Sequence, residues 1–268
     1  KRLQAAGLNP FRLTSDDILI DILTDSGTGA MSLIQWSKMA VADEAYAGSR
    51  SFAKLEKAVQ DITGFKFVLP VHQGRGGENV FDKVIIKKGQ FVIGNLFFDT
   101  TAAQAEDKGG RLCEVSVDEI FDPSNLSDFK GNIDLVKLEK ELTEKKGNVA
   151  YVLITVTNNT GGGLPISMAN MRAVREICNE HRVGLYMDAA RFLENAEFIK
   201  EREAGYKDIP IRDIVREQCS YFDGMIMSSK KDAIVNIGGF IALNDEELYK
   251  KLASMNVLIE GFPTYGGQ

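Results

Sequence analysis

The sequence predicts an α/β fold with a mainly parallel central sheet that helices cover on both faces. Three observations lead to this prediction. Apolar runs rich in β-branched residues alternate with segments of helical periodicity along the 268 residues. The strand-like runs are almost continuously apolar, which is typical of strands buried on both faces of a sheet. A glycine-rich turn joins one strand-like run to a helix-like run, as at the ligand-binding edge of such sheets.

The order of elements follows from these periodicities. Apolar residues three and four apart predict helices at residues 32–42, 51–63, 79–86, 135–145, 167–181 and 246–255. Short apolar runs predict strands at residues 65–69, 90–94, 112–117, 150–156, 183–187, 225–227 and 238–243. The polar break at Asp122 and Pro123 is predicted to be a surface loop. With no internal repeat or low-complexity linker, residues 1–268 are predicted to form one large domain.

Composition narrows the function classes. With 44% hydrophobic residues the chain can bury a large core. A net charge of −6 without a basic run argues against nucleic acid or an anionic membrane as partner, and no apolar run is long enough to span a bilayer. Cys113, Cys178 and Cys219 are odd in number and scattered. They predict reduced thiols and a cytoplasmic location.

The first chemical signal is a lysine pair, Lys230-Lys231, which two serines separate from the strand-like apolar run 225–227. A lysine pair is a poor structural choice at the end of a buried strand. It is a good chemical one, because a lysine amine can form a Schiff base with a carbonyl cofactor. Ser228 and Lys230 could meanwhile hold a phosphate group. Taken alone, the pair is also what an ordinary surface turn contains.

The second signal is Asp188, which ends the apolar run 183–187. Sheets of this class place their ligands at the carboxyl ends of strands. Pyridoxal 5′-phosphate (PLP) needs an anionic partner for its pyridinium nitrogen, and Arg191 could reach the phenolic oxygen of the same ring. The simpler interpretation is that Asp188 caps a following helix, and for an isolated aspartate that interpretation is preferred.

The third signal is the sequence His-Gln-Gly-Arg-Gly-Gly-Glu at residues 72–78. A strand, a glycine-rich turn and a helix together place unpaired N–H groups and the positive helix end at one point, which suits a phosphate. Arg75 would add a bidentate donor. A tight turn with a surface arginine explains the segment equally well by itself. Phosphate turn, strand-end aspartate and late lysine in this chain order together indicate a PLP site.

These segments resemble the β-eliminating aromatic amino-acid lyases, the tryptophanases and tyrosine phenol-lyases. The resemblance runs along the whole chain and is carried by residues 9–11, 23–28, 43–49, 72–78, 95–101, 157–163, 187–191, 228–239 and 260–267. It implies the PLP-dependent transferase-like fold, fold type I. It also implies a dimer or tetramer of this chain, because active sites of the family form between subunits near the segments of Tyr46 and Phe262.

The resemblance assigns roles to individual residues. Lys231 would carry the cofactor and remove the Cα proton of the substrate, and Tyr46 would protonate the departing aromatic carbon. Asp188 and Arg191 would bind the ring nitrogen and the 3′ oxygen. The expected cofactor-binding residues are Gln73, Gly74, Arg75, Phe98, Asn159, Asp188, Arg191, Ser228, Lys230 and Lys231. Expected substrate contacts are Thr24, Asp99 and Phe262. Expected ligands of a monovalent cation, K⁺, are Glu44, Gly27 and Asn236.

The resemblance leaves the substrate open between two aromatic amino acids. The pair Phe98-Asp99 and the segments 48–51 and 260–267 resemble tryptophanases, since phenol-lyases carry Phe-Thr at that pair. The segments 168–172 and 235–240 resemble phenol-lyases. A carboxylate could accept a proton while an indole ring is activated. We therefore expect tryptophan, cleaved to indole, pyruvate and ammonium, with tyrosine, cleaved to phenol, as the alternative.

The chain departs from the family pattern in its extent. Family members continue beyond residues 265–267 into a small C-terminal domain that supplies an arginine for the substrate carboxylate, and they carry an N-terminal arm that is incomplete here. We expect a PLP-binding large domain, and a catalytically inactive PLP-binding fragment is a further alternative. Aminotransfer or aldol cleavage is the rival chemistry of this fold. Glu44, Tyr46 and Asn236 favour the lyase, because the cation site and the acid belong to lyases.

Overall fold

The computed structural model of the chain describes residues 1–18, 31–43, 45 and 47–262. Its strands are β1 (Phe67–Val71), β2 (Phe91–Gly94), β3 (Arg111–Glu114), β4 (Val149–Thr155), β5 (Leu185–Asp188), β6 (Gly224–Ser228) and β7 (Gly239–Leu243). Its α-helices are α1 (Arg2–Ala5), α2 (Leu33–Ala40), α3 (Arg50–Thr63), α4 (Gly74–Ile85), α5 (Asp99–Asp107), α6 (Leu135–Glu144), α7 (Met168–His181), α8 (Phe192–Arg202), α9 (Ile211–Ser220) and α10 (Glu246–Ile259).

The strands form one sheet within the described residues, in the order β1-β7-β6-β5-β4-β2-β3. Strand β7 is antiparallel to both of its neighbours, and every other neighbouring pair is parallel. Because β1 and β6 both oppose β7, they run in the same direction as each other. The carboxyl ends of six strands therefore lie at one edge of the sheet. This confirms the predicted mainly parallel α/β architecture.

Helices cover both faces of the sheet, as the continuous apolar runs predict. Successive strand residues point to opposite faces. On β4, Ile154 belongs to the larger hydrophobic cluster and Leu153 to the smaller one. The larger cluster includes residues of α3, α6, α7, α8 and α9, while the smaller one includes residues of α4, α5 and α10.

Side-chain caps determine where several of these helices begin. The hydroxyl of Ser49 accepts a hydrogen bond from the N–H of Phe52 in α3, and Ser167 caps α7 in the same way. Gly64 ends α3 with a left-handed φ of 88°, where a side chain would strain the backbone. None of the helices in the described ranges has the length and apolarity that crossing a bilayer requires.

Besides the single turn of α1, the structure adds three helices that the sequence prediction lacks, namely α5, α8 and α9. Helix α5 buries only Thr101 and Ala105, so its sequence has no apolar stripe to detect. Helix α9 does carry the pattern, with Ile214, Val215 and Cys219 buried. The prediction also starts α4 five residues late, because the glycine-rich turn itself winds into the helix from Gly74. Strand β1 lies two residues later than predicted.

The three cysteines are unpaired, as predicted from their number and spacing. Cys178 and Cys219 are buried in the larger cluster, and Cys113 is half-buried. Burial raises the pKa of both buried thiols to about 12. These side chains therefore remain protonated and act as small apolar groups of the core.

Buried asparagines join loops to helices on the side of the larger cluster. Asn195 Oδ1 accepts from the N–H of Ile166 over 2.9 Å, and its Nδ2 donates to the carbonyl of Ile166 over 3.1 Å. Asn170 binds the N–H and C=O of Ile133 in the same manner, over 2.9 and 2.8 Å. A buried backbone needs such partners where no strand supplies them. These amides therefore complete the backbone hydrogen bonding of the connecting loops.

Replacing Asn195 with alanine is expected to lower the free energy of unfolding by about 2–4 kcal/mol, because the buried N–H and C=O of Ile166 lose their partner. Chemical denaturation followed by circular dichroism measures the change. The control is Asn179→Ala on the exposed face of α7, which should change stability by less than about 0.5 kcal/mol. Equal effects of the two variants would contradict this role of Asn195.

Candidate active site

The predicted cofactor residues all lie in segments at the same edge of the sheet. They follow β1 (Gln73, Gly74, Arg75), β2 (Phe98), β4 (Asn159), β5 (Asp188, Arg191) and β6 (Ser228, Lys230, Lys231), with Asp188 and Ser228 as the last residues of their strands. This convergence is a consequence of topology, because parallel strands deliver their carboxyl ends to one edge. The structure thus brings together residues that are up to 158 positions apart (231 − 73 = 158).

The turn between β1 and α4 packs directly against the end of β6. A Cβ atom on Gly74 would stand 2.8 Å from Cβ of Ser228. A Cβ on Gly239 would stand 2.8 Å from the carbonyl carbon of Gln73 and 2.6 Å from the oxygen of Met227. Both positions therefore require glycine. This close approach places the positive N-terminus of the 12-residue helix α4 beside the Ser228 hydroxyl.

The Lys231 amine lies next to this phosphate-type turn. Its Nζ donates to Oγ of Ser228 over 3.1 Å, and the side chain is half-buried. Lys230 is also half-buried. Ser228 is thus in contact with the lysine on one side and with the start of α4 on the other. The side chain of Ser228 alone therefore separates a primary amine from the helix N-terminus, which can bind an anion.

Asp232 ties the Lys231 loop to the segment that follows β5. Its Oδ2 accepts from the N–H groups of Leu193 and Glu194, over 2.7 and 3.3 Å, at the first turn of α8. Asp232 therefore caps α8, and the interpretation of Asp188 as that cap is wrong, since α8 begins four residues after it. Burial raises the pKa of Asp232 to about 6. Lys231 and Asp232 also line a surface cavity of about 220 Å³.

Asp188 lies at the end of β5, where burial disfavours the ionised form of its carboxyl group. Burial, followed by the nearby charge of Glu78, raises the pKa of Asp188 to about 7. Although part of the residue is exposed, protein atoms surround its carboxyl group closely enough to remove most of its water. The N–H of Ala190 and the cations Arg191 and Lys231 lower the pKa but do not offset burial. A cationic ligand beside this carboxyl group would offset the remaining cost of burying its charge.

Glu78 is a site residue for which the sequence analysis gave no role. It lies on α4, is 7% exposed, and accepts hydrogen bonds from the hydroxyls of Thr100 and Thr101. Burial raises its pKa, while Arg75 and Lys231 act in the opposite direction. The signal in the sequence was a glutamate directly after the glycine-rich turn and shortly before the apolar pair Val80-Phe81.

One turn further along α4, Asp82 continues the buried acidic row. The hydroxyl of Tyr151 donates to Asp82 Oδ1 over 2.6 Å, and burial raises the pKa of Asp82 to about 7. Among the described residues, Oδ2 of Asp82 has no hydrogen-bond partner. Burial therefore disfavours the charged forms of Glu78 and Asp82, and such perturbed carboxyl groups are typical of the neighbourhood of a functional site.

The remaining predicted residues take less constrained positions. Phe98 is half-buried as the residue before α5, and Asp99 is exposed as the first residue of that helix. Asn159 and Asn236 are half-buried and Phe262 is exposed. Thr24, Gly27, Glu44 and Tyr46 lie outside the described residues. The cation site and the general acid therefore stay predictions.

The residues at this edge fit PLP. The glycine-lined start of α4 and Ser228 suit its phosphate, Lys231 suits its aldehyde, and Asp188 suits its pyridinium nitrogen. The hydroxyl of Thr157, just after β4, is buried and has no hydrogen-bond partner among the described residues. A ligand with a cationic group at this edge would stabilise the carboxylate of Asp188, and a polar atom of the same ligand would give the Thr157 hydroxyl a hydrogen-bond partner.

The sequence profile of a family described as "Beta-eliminating lyase" matches residues 21–266. The tyrosine phenol-lyase of Clostridium tetani is 54% identical over 267 residues, which are 99% of this chain and 58% of that protein. The tyrosine phenol-lyase of Symbiobacterium thermophilum is 49% identical over 267 residues, with the same coverage. The chain spans somewhat over half the length of these relatives.

A solved structure agrees with the fold. The crystal structure of ntda from Bacillus subtilis with bound cofactor PMP aligns with a TM-score of 0.53 at 17% identity, over 79% of this chain and 41% of that chain. At this identity the likeness concerns the fold alone. It confirms the predicted PLP-dependent transferase-like fold.

The buried carboxyl of Asp82 predicts a pH dependence of stability. Its pKa is about 7 in the folded chain and near 3.8 when exposed, so the folded state binds the extra proton between these values. Stability from this group is complete below pH 4 and is lost as pH rises through 7. Asp82→Asn removes this titration while keeping a carbonyl acceptor for Tyr151. We expect the loss of unfolding free energy between pH 5 and 8 to shrink by about 1–3 kcal/mol.

Denaturant titrations at pH 5, 6, 7 and 8 measure how the free energy of unfolding falls with pH, which is the slope compared between variants. The control is Asp208→Asn in an exposed loop, which should leave the slope unchanged. Parallel pH profiles for the unmodified chain and Asp82→Asn would show that Asp82 is not the titrating group.

Proposed function

The chain belongs to the β-eliminating lyase family, and on this basis we propose that it forms the PLP-binding part of a lyase that cleaves tyrosine to phenol, pyruvate and ammonium. The observation that carries the proposal is the contact of Lys231 with Ser228, beside the start of α4 and at the same sheet edge as Asp188. This single arrangement brings an amine, an anion site and a carboxylate to one edge of the sheet, where one small cofactor would use all three.

The residues of the chain divide the work of such a reaction between them. PLP, when bound, supplies an electron sink for the carbanion that forms at the substrate's Cα. Lys231 Nζ would hold the aldehyde of PLP and would act as the base that takes the proton from Cα of the substrate. Ser228, Lys230 and the turn that begins at Gln73 bind the phosphate and so fix the position of the ring.

Asp188 and the aromatic face of Phe98 orient the ring itself. With a pKa of about 7, the Asp188 carboxyl is only partly ionised in the protein alone. A cation against it favours the carboxylate, and the carboxylate in turn keeps that cation protonated. Arg191 and Asn159 are proposed to hydrogen-bond the phenolic oxygen, and Arg75 to assist Gln73 and Gly74 at the phosphate. Phe98 is proposed to stack on the ring.

The proposed substrate is tyrosine, although the sequence analysis placed tryptophan first. The relatives named above are tyrosine phenol-lyases, which favours the alternative. Asp99 pointed to tryptophan, together with the segments 48–51 and 260–267. In the structure Asp99 is exposed in the first turn of α5, where an acidic residue is favourable for the helix dipole. An aspartate there has a structural explanation and discriminates poorly between the two substrates.

The proposal includes a cation, an assembly and a location. A monovalent cation, K⁺, is proposed to bind through Glu44 and the carbonyls of Gly27 and Asn236, and Tyr46 is proposed as the general acid. Self-association into a dimer or tetramer is proposed to complete each site, with Thr24 and Phe262 near the substrate. The cytoplasm is the proposed location. The resemblance of the corresponding segments to the family supports the cation, the acid and the assembly, and the scattered cysteines support the location.

Lys231 is expected to be the attachment point of PLP. Borohydride reduction of the chain after incubation with PLP should leave a pyridoxyl group on the peptide that contains Lys231, as read by mass spectrometry. Lys231→Ala should abolish this label, and the exposed-lysine control Lys207→Ala should retain it. Lys230→Ala should retain the label but weaken PLP binding by about tenfold, the loss of one charge-assisted contact. A label found mainly on Lys230 would overturn the assignment.

Tyrosine is expected to be the better substrate in the presence of PLP and K⁺. Phenol and pyruvate release from tyrosine should exceed indole release from tryptophan by at least about tenfold in kcat/KM, because a site that hydrogen-bonds a hydroxyl rejects rings without it. Asp99→Thr should change this ratio by less than about threefold, since Asp99 is exposed. Faster indole release would return the assignment to tryptophan. PLP binding without any product would identify a binding fragment that does not turn over.

A further inference from the structure

A glutamate at the end of α10 contacts the residue that precedes the phosphate turn. Oε2 of Glu260 accepts from the backbone N–H of His72 over 2.8 Å and lies 2.6 Å from Nδ1 of the same residue. The Glu260 side chain is 8% exposed, whereas the imidazole is 48% exposed. Glu260 and His72 are 188 positions apart in the chain, and neither has a role in the function proposed above.

The hydrogen bonds continue from His72 to Gln73. An ionised carboxylate only accepts hydrogen bonds, so Glu260 places the proton of a neutral imidazole on Nδ1. The other ring nitrogen, Nε2, is then an acceptor, and Nε2 of Gln73 lies 3.0 Å from it. This chain fixes which way the Gln73 amide points. Its second N–H and its carbonyl are directed by the same constraint.

A glycine in the first turn of α4 leaves the space for this chain of contacts. A Cβ on Gly76 would stand 2.6 Å from Oε1 of Glu260 and 2.8 Å from the ring of His72. Any side chain at this position would displace the carboxylate or the imidazole. The glycine-rich turn thus serves two purposes, since Gly74 admits Ser228 and Gly76 admits Glu260.

The ordinary explanation of Glu260 is that it anchors the end of α10 to β1. That anchor exists without it, because Nδ2 of Asn256 donates to the carbonyl of Pro70 over 3.2 Å. An anchoring role would also be complete with the backbone N–H of His72. The imidazole bond is additional, and it leads to the side chain of Gln73, the residue directly before α4.

We propose that Glu260 and His72 are positioning residues that orient the Gln73 side chain toward the phosphate group of PLP. The proposal rests on the function proposed above and extends it to two residues that touch neither the ring nor the substrate. The carboxylate holds the imidazole, the imidazole holds the amide, and the amide meets the phosphate already oriented. Because Glu260 ends α10 two residues before Phe262, the same contact links the substrate-side segment to the phosphate turn.

The test compares PLP with pyridoxal, which has the same aldehyde and ring but no phosphate. His72→Phe keeps the backbone N–H for Glu260 and removes the link to Gln73. We expect this variant to bind PLP about tenfold more weakly and pyridoxal within about twofold of the unmodified chain, as measured by equilibrium dialysis. His181→Phe, which removes the other histidine–glutamate contact of the described residues (2.9 Å to Glu139), should leave both affinities unchanged.

A double-mutant cycle then tests the route through Gln73. Gln73→Ala should weaken PLP binding by itself, and adding His72→Phe to it should have no further effect. Equal weakening of PLP and pyridoxal, or an undiminished effect of His72→Phe in the Gln73→Ala background, would overturn the proposal. Glu260→Ala should reproduce the PLP-selective loss. If the unmodified chain binds neither ligand, the proposed function fails and this inference fails with it; unchanged PLP affinity in His72→Phe overturns the inference alone.

Discussion

The close approach of α4 to the end of β6 is the contact on which the site depends. Gly74 leaves no room for a side chain against Ser228, and Gly239 leaves none against Gln73. These two glycines let a helix N-terminus, a strand end and the Lys231 loop share one small volume. The same glycines give up backbone entropy on folding. The entropy cost of folding is therefore high at the position where a phosphate is proposed to bind.

Electrostatics at the same edge also run against stability. Asp188, Glu78 and Asp82 are carboxyl groups with raised pKa values, and each raises that of a neighbour or is raised by it. A chain selected for stability alone would replace such a row with apolar side chains. The row has a physical explanation if a cationic ligand binds beside it. The cation would stabilise the ionised form of the adjacent carboxylate and so offset the cost of its burial. Binding of the proposed cofactor would therefore be coupled to folding through these groups.

Two side chains from distant segments hold the loops of the site in register. Asp232 caps α8 and so fixes the Lys231 loop relative to the end of β5. Glu260 holds His72 and, through it, the amide of Gln73. Both are carboxylates whose partners lie on another element. The loops of the site are therefore held by these side-chain contacts as well as by the strands that precede them.

Local patterns in the sequence determined the mainly parallel sheet and the phosphate turn. They also determined that Asp188 ends a strand and that Lys231 follows one, because these features follow from periodicity and glycine spacing over a few residues. Tertiary structure alone decided what those patterns meet. The capping of α8 by Asp232, the burial of Glu78 and the contact of Glu260 with His72 join residues 38 to 188 positions apart or depend on packing from several elements. Helix α5 likewise lacks an apolar stripe. No short window of sequence contains such contacts, since they arise only when the sheet brings its strand ends to one edge.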